Sequence, residues 1–293
     1  NMTEYEYAIS VQDVGKRYDR FALEHISFTV PKGSIMGFIG QNGAGKTTTI
    51  RSMLHITSID QGEIRLLGMD HIRQEQAIKQ RLAVVFDELP FHGVLTPRDM
   101  ARIFAGLYPD WDNAAYSRYL EQFQLPVKKK IGQFSKGMKM KLQIACALSH
   151  NAELLIMDEP TTGLDPVVRD EILHLFMEYI RDGQRSILMS SHITSDLEKI
   201  ADCVTFIDNG RILLTGYKDE ILESHGILKC SLEEAAAMDP ADIISVRTNA
   251  YGAEVLVPDR ESARYKYRNA ILDPASIDDV MLFYVHKGER AWC

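Results

Sequence analysis

The apolar positions of this 293-residue chain change period several times, and each change marks an element. Ala8–Val14 and Ile26–Val30 alternate apolar with polar residues, the period of strands that bury one face. Pro31-Lys32-Gly33 closes the second of them. Ile35–Ile39 is a continuous apolar strand that runs into the glycine-rich Gly40–Gly45 and then a helix start. Gly62–Leu67 and Leu82–Phe86 read as strands. From about Pro97 to His150 the period becomes helical, with segments near 97–107, 113–124 and 136–149. Strands return at Glu153–Met157, Ser186–Ser191 and Val204–Ile207, separated by helices near 167–182 and 194–202. Runs such as Leu154-Leu155-Ile156-Met157 suit parallel strands covered on both faces by helices. The pattern predicts an α/β sheet with a helical insertion over about 90–150. After Gly216 the character changes. A short helix, an acidic Ala-rich stretch (Leu232–Met238), strand-like segments at Ile243–Thr248 and Ala253–Val257 and a helix near Ile277–Tyr284 predict a small α+β appendage over 217–293.

Composition narrows the classes without changing this outline. Apolar residues make up 45% and charged residues 25%, which is ordinary globular usage. No apolar run approaches the ~18 residues a membrane-spanning helix needs. The polar, acidic start, Asn1-Met-Thr-Glu-Tyr-Glu-Tyr7, predicts no secretion signal. Cys146, Cys203, Cys230 and Cys293 lie far apart with no CxxC, so they read as reduced thiols of a cytosolic protein. The net charge of −8 is uneven: residues 217–293 hold 9 Lys and Arg against 14 Asp and Glu. Neither part has the basic footprint of a nucleic-acid binder, and Lys128-Lys129-Lys130 reads as a solvated face.

The chemistry is concentrated in two places. Gly40-Gln41-Asn42-Gly43-Ala44-Gly45-Lys46-Thr47-Thr48 fits G-x-x-x-x-G-K-[ST] between a strand and a helix. Its glycines let the backbone turn its N–H groups inward, and the following helix adds its positive end. Lys46 would reach the β- and γ-phosphates, and the Thr47 hydroxyl would sit on Mg²⁺. Such a cradle needs a carboxylate on a neighbouring strand. Leu154-Leu-Ile-Met-Asp158-Glu159 ends an apolar strand in two acids: Asp158 to hold Mg²⁺, and Glu159 to accept a hydrogen bond from the attacking water.

With these residues in place, residues 8–216 resemble the ATP-binding subunit of an ABC transporter. Thr162-Gly163-Leu164-Asp165 matches the D-loop, His192 after Ser190-Ser191 the switch histidine, and Tyr18 the aromatic that lies against adenine. The resemblance implies a P-loop NTPase of ABC type: an antiparallel β subdomain, a mostly parallel core sheet, the helical insertion, and the C-terminal appendage. It implies that His192 contacts the γ-phosphate and that two subunits pack head-to-tail. Each would offer Ser135 and Gly137 to the other's ATP, with Asp165 near the seam. It further implies a membrane permease as partner, a peripheral place on the cytoplasmic face of the membrane, and Mg-ATP as the bound nucleotide.

Two motifs depart from the family pattern. The signature, usually LSGGQ, is Phe134-Ser135-Lys136-Gly137-Met138, with Lys136 in place of a glycine. The Q-loop glutamine is replaced by Asp87, followed by Glu88, and Asp87 is expected to engage Mg²⁺ or water. The stretch 91–111, with Phe104, Leu107, Tyr108 and Trp111, corresponds to the groove that receives a permease coupling helix in related subunits; most of its aromatics are expected in the core of the insertion. Together with the appendage, these features resemble a bacterial branch linked to bacitracin-type and peptide-toxin export, with an importer as the alternative. A soluble ABC ATPase acting on ribosomes or DNA would usually carry two cassettes or long coiled coils. A small-molecule kinase would not explain Ser135-Lys-Gly137 or the D-loop. The segment 217–293 holds no phosphate-binding pattern and is expected to be dispensable for nucleotide binding.

Overall fold

A computed structural model describes residues 5–88 and 91–287. Three sheets organise the chain. The first is antiparallel, in the order β2-β1-β4-β5, from β1 (Tyr7–Arg17), β2 (Ala22–Pro31), β4 (Gln61–Leu66) and the short β5 (Met69–Asp70). From Ile26 to Val30 alternate side chains of β2 are buried, as the period-two pattern there requires.

The second sheet carries the site. Its order is β10-β9-β3-β8-β7-β6, from β3 (Ile35–Ile39), β6 (Leu82–Val85), β7 (Leu154–Asp158), β8 (Ser186–Ser191), β9 (Cys203–Asp208) and β10 (Arg211–Tyr217). Five strands run parallel and only β10 is antiparallel, as the edge partner of β9. Every residue of β3, β7 and β8 is buried, because helices cover one face and the antiparallel sheet, with Phe28 stacked on Phe38 at 5.2 Å, covers much of the other. The parallel register brings the C-terminal ends of β3, β7 and β8 to one edge, where loops bind ligands in open α/β sheets. Around them lie α1 (Lys46–Met53), α2 (Glu75–Arg81), α6 (Pro166–Tyr179) and α7 (Thr194–Ile200).

The helical insertion comprises α3 (Pro97–Leu107), α4 (Asn113–Gln122) and α5 (Lys136–Ala147). Helix α3 starts at a capping box in which Thr96 and Asp99 satisfy each other's backbone N–H groups, with Pro97 at its first position. Helix α5 is capped by Ser135 and buries Leu142 through Ala147 under the sheet.

Past Tyr217 come α8 (Lys218–Ser224), β11 (Gly226–Cys230), α9 (Leu232–Ala237), β12 (Ser245–Asn249), β13 (Gly252–Val257), α10 (Arg260–Lys266), β14 (Ile271–Pro274) and α11 (Ile277–Val285). Their strands form an antiparallel third sheet, β12-β13-β11-β14. The pattern reading lacked α2, β10, β11, α10 and β14. Helices α2 and α10 each bury one residue, Ile78 and Ala263, so no apolar stripe exists to be seen. Strands β10 and β14 have no fully buried position and so show no clean alternation.

The appendage is not a separate globule. Ile277, Val280 and Phe283 of α11 belong to the same apolar cluster as Leu197 and Ile200 of α7 and the inner strands. Glu198 of α7 accepts a hydrogen bond from the Ile277 N–H at 2.7 Å, and Ser245 donates to the Phe283 carbonyl at 2.7 Å. The imidazole of His225 meets the Tyr284 hydroxyl at 3.0 Å, and burial holds that histidine below its ordinary pKa. Helix α11 therefore backs α7, the helix that follows His192. Because Phe283 is fully buried, Phe283→Ala should destabilise the chain by about 3–5 kcal/mol in urea denaturation followed by circular dichroism, in one transition. A loss below ~1 kcal/mol, or a transition confined to the third sheet, would show that α11 does not brace the nucleotide-binding core.

Candidate functional site

Strand β3 ends where the chain must turn past β9. A Cβ at Gly40 would lie 2.4 Å from the Ile207 carbonyl, so only glycine passes there. Gly43 and Gly45 have φ of 86° and 114°, and a Cβ at Gly45 would meet Phe21 and Leu23 at 3.0 Å. Gln41, Asn42 and Gly43 form the exposed crest of the loop; the Ala44 N–H closes it on the Gln41 carbonyl at 3.1 Å. Helix α1 then opens at Lys46, with Thr47 exposed and Thr48 half-buried beside it. The Lys46 ammonium is buried; it donates to the Gly40 and Gln41 carbonyls at 2.6 and 3.2 Å and pairs with Glu159 Oε1 at 3.1 Å.

Both acids at the end of β7 face this loop. Asp158 accepts from the Thr47 hydroxyl at 2.8 Å on one oxygen and from Ser190 at 2.6 Å on the other. Glu159 stands in the left-handed region, φ 52°, a strained backbone for a residue with a side chain. Its N–H donates to Ser190 at 2.9 Å, so one hydroxyl fixes both acids. Glu159 Oε2 accepts from Thr162 at 2.7 Å and lies 2.8 Å from His192 Nδ1. Burial pushes its carboxyl upward, but the Thr162 hydroxyl, Lys46 and His192 outweigh burial and hold it below the usual carboxylate range. An ionised carboxylate only accepts, so His192 Nδ1 carries a proton and Nε2 is the atom left for other contacts. Oε1 is buried and, among the described residues, accepts no hydrogen bond, the Lys46 contact being an ion pair without hydrogen-bond alignment. It keeps acceptor capacity for water.

The turn 161–165 is pinned to α7, since Thr161 donates to the buried Asp196 at 2.7 Å. Asp165 caps α6, accepting from Val167 and Val168 N–H at 3.1 and 3.0 Å. Ser135 caps α5 by accepting from Met138 N–H at 3.2 Å, which leaves its own hydroxyl hydrogen free to donate. Gly137 is not required by its own chain. Its φ is not positive, and an added Cβ would meet nothing nearer than 3.8 Å. Tyr18 is 44% exposed in the turn between β1 and β2, and its N–H bonds the carbonyl of Phe21, whose ring reaches Gly45.

Asp87 is the exception among the expected site residues. Instead of joining Thr47 and Asp158 it pairs with Lys136 at 2.8 Å. The candidate metal ligands that lie together are Thr47 and Asp158. Three residues escaped the sequence reading. Ser190 was passed over as the end of a strand, although its hydroxyl fixes both acids. Phe21 packs on Gly45. Gln143, a polar residue in the buried row of α5, accepts from the Phe86 N–H at 3.2 Å and donates to the Phe86 carbonyl at 2.9 Å; its place in an apolar row was the available signal.

Thr47 and Asp158 supply two hard oxygens side by side. That suits Mg²⁺, which keeps several waters and takes few protein ligands beside substrate phosphates.

A groove lies behind the site, an apolar cavity of about 460 Å³ bordered by Met53, Ile78, Phe86, Phe104, Leu107 and His150. Phe104 packs on Tyr108 and Trp111, with ring centroids 5.8 and 5.3 Å away, so these aromatics do stiffen the insertion. Leu107, 59% exposed, faces outward from the rim. No helix of the described residues is long and apolar enough to cross a membrane.

Comparison with known proteins gives this geometry its family. The model of the ABC transporter family matches residues 23–162. The bacitracin transport ATP-binding protein BcrA of Bacillus licheniformis is 37% identical over 208 residues, 70% of this chain and 68% of that protein. The Nod factor export ATP-binding protein I of Burkholderia thailandensis is 33% identical over 298 residues, 94% of this chain and 95% of that one. A solved ATP-binding subunit of an ABC transporter superposes with a TM-score of 0.67 at 30% identity, over 74% of this chain and 92% of that chain. The chain belongs to the ATP-binding subunits of ABC transporters, which hydrolyse ATP to drive transport.

Proposed function

We propose that this subunit, peripheral on the cytoplasmic face of the membrane, powers a permease that exports peptides, antibiotics or other amphipathic compounds. The names of the relatives in bacitracin transport and Nod factor export support this direction. The groove behind β6, with Leu107 at its rim, is the surface offered to the permease. The observation that carries the catalytic reading is the meeting of Lys46, Thr47, Asp158 and Glu159 through contacts of 2.8–3.1 Å.

Roles follow from the atoms. Residues 40–48 receive the phosphates, and Lys46 exchanges Glu159 for phosphate oxygens, which frees Oε1 to align water. Thr47 and Asp158 would hold Mg²⁺, whose charge would offset the negative charge that builds on the phosphate oxygens. As the water oxygen bonds the γ-phosphorus, the bond to the bridging oxygen of ADP breaks, and the water proton passes to Glu159 or to the departing phosphate. The depressed pKa of Glu159 suits an acceptor that must be ionised at neutral pH. Nε2 of His192 would contact the γ-phosphate, and Tyr18 would lie against the base.

Ser135 and Gly137 serve the partner subunit. The free hydroxyl hydrogen of Ser135 and the absence of any internal need for glycine at 137 both support an outside ligand. The second subunit is a copy of this chain or a homologue.

Two outcomes test the scheme. Glu159→Gln should keep ATP affinity while turnover falls by about 10²- to 10⁴-fold; turnover within a factor of two of wild type would assign the water to another residue. Mixing a Ser135→Arg chain with a Lys46→Ala chain should restore ATPase activity, one working site per heterodimer. A mixture that stays inactive while each variant is folded would contradict a site shared between two such chains.

A further inference from the structure

The two places where this chain departs from the family pattern touch each other. Lys136, in the glycine position of the signature, pairs through Nζ with Asp87 Oδ1 at 2.8 Å, in the glutamine position after β6. Lys136 opens α5, where the positive end of a helix disfavours a cation, so its local setting gives no reason for a lysine. Asp87 supplies one. A second contact supports the same alignment: Gln143, seven residues along α5 and on the same face, holds the Phe86 backbone by both its N–H and its carbonyl. One helix thus grips two consecutive residues of the loop. The ammonium also lies beside the D-loop, 3.4 Å from where a Cβ on Gly163 would stand.

We infer that Lys136 and Asp87 are a positioning pair, which holds the α5 N-terminus to the loop after β6 and so sets where Ser135 and Gly137 are presented to the partner's nucleotide. Phe86 borders the groove on one side of this loop, and Asp87 and Lys136 border a second cavity on the other. The loop after β6 therefore lies between the proposed permease surface and the signature. Both charged side chains are about half exposed, at 45% and 47%. An exposed pair is weak, which limits its effect to about two- to five-fold and makes it easy to release as the subunits close.

This inference rests on the shared-site reading, and the experiment separates the two. ATPase activity is measured against subunit concentration for wild type, Asp87→Asn, Lys136→Met, the exchange Asp87→Lys with Lys136→Asp, and Ser135→Arg, with melting temperatures recorded to confirm folding. Each neutral variant should raise the subunit concentration for half-maximal specific activity about two- to five-fold, with KM for ATP unchanged at saturating subunit. The exchange should return within two-fold of wild type, and Lys136→Arg should match wild type. Raising salt from about 0.1 to about 1 M should erase the advantage of the exchange over the single variants, because screening shortens from ~10 to ~3 Å. Neutral variants that behave as wild type, or an exchange no better than the worse single variant, would overturn the pair. Full activity of Ser135→Arg would instead overturn the shared site itself.

Discussion

A buried ammonium is the constraint on which the rest of the site depends. Lys46 sits out of water with two backbone carbonyls and one carboxylate as partners, and a charge so placed is tolerated only while such partners are held in position. The carbonyls come from Gly40 and Gln41, where β9 forbids any residue but glycine at position 40. The carboxylate comes from a residue in a left-handed conformation, fixed through its N–H by Ser190 and through its side chain by Thr162 and His192. In the proposed scheme, phosphates arriving in the cradle would compete for the same ammonium and so change what Glu159 can do. Binding and activation would thereby be one exchange of partners.

The parallel sheet makes this exchange possible, and the helices carry it outward. Strands β3, β7 and β8 are buried along their whole length and so form a stiff base for three loops. Thr161 ties the D-loop to Asp196 of α7, and α11 backs α7 from the third sheet. On the opposite side, α5 joins the signature to the loop after β6 through Gln143 and Lys136. The affinity difference between ATP and ADP at a subunit seam bounds how far any such arrangement can shift. In the proposed two-subunit scheme, a degenerate signature and a net charge of −8 would favour a seam that closes only transiently.

Much of this was legible in the sequence because the phosphate site is encoded locally. Lys46 and Thr47 follow a glycine run between a strand and a helix, and Asp158 and Glu159 end an apolar strand; short-range geometry then leaves each little choice of place. The contiguous strands β3, β7 and β8 were plain for the same reason. What escaped was set by tertiary contact. Helix α2 and strands β10 and β14 bury too little to leave a period. Nothing near Asp87 in sequence reveals that Lys136 pairs with it. Ser190 resembled any strand residue until both acids were found on its hydroxyl. The segment 217–293 holds no phosphate pattern, and nothing in its sequence reveals that Val280 and Phe283 share an apolar cluster with Leu197 of α7.

The central claim is that one chain builds the phosphate cradle and its acids, while the γ-phosphate is closed over by the signature of a second. Sedimentation of the Glu159→Gln chain, which should bind ATP without consuming it, tests this most directly. With Mg-ATP the account predicts a species of twice the 33.2 kDa subunit mass, returning to single subunits when Mg-ADP replaces it. Single subunits with both nucleotides, at concentrations that saturate ATP binding, would contradict it.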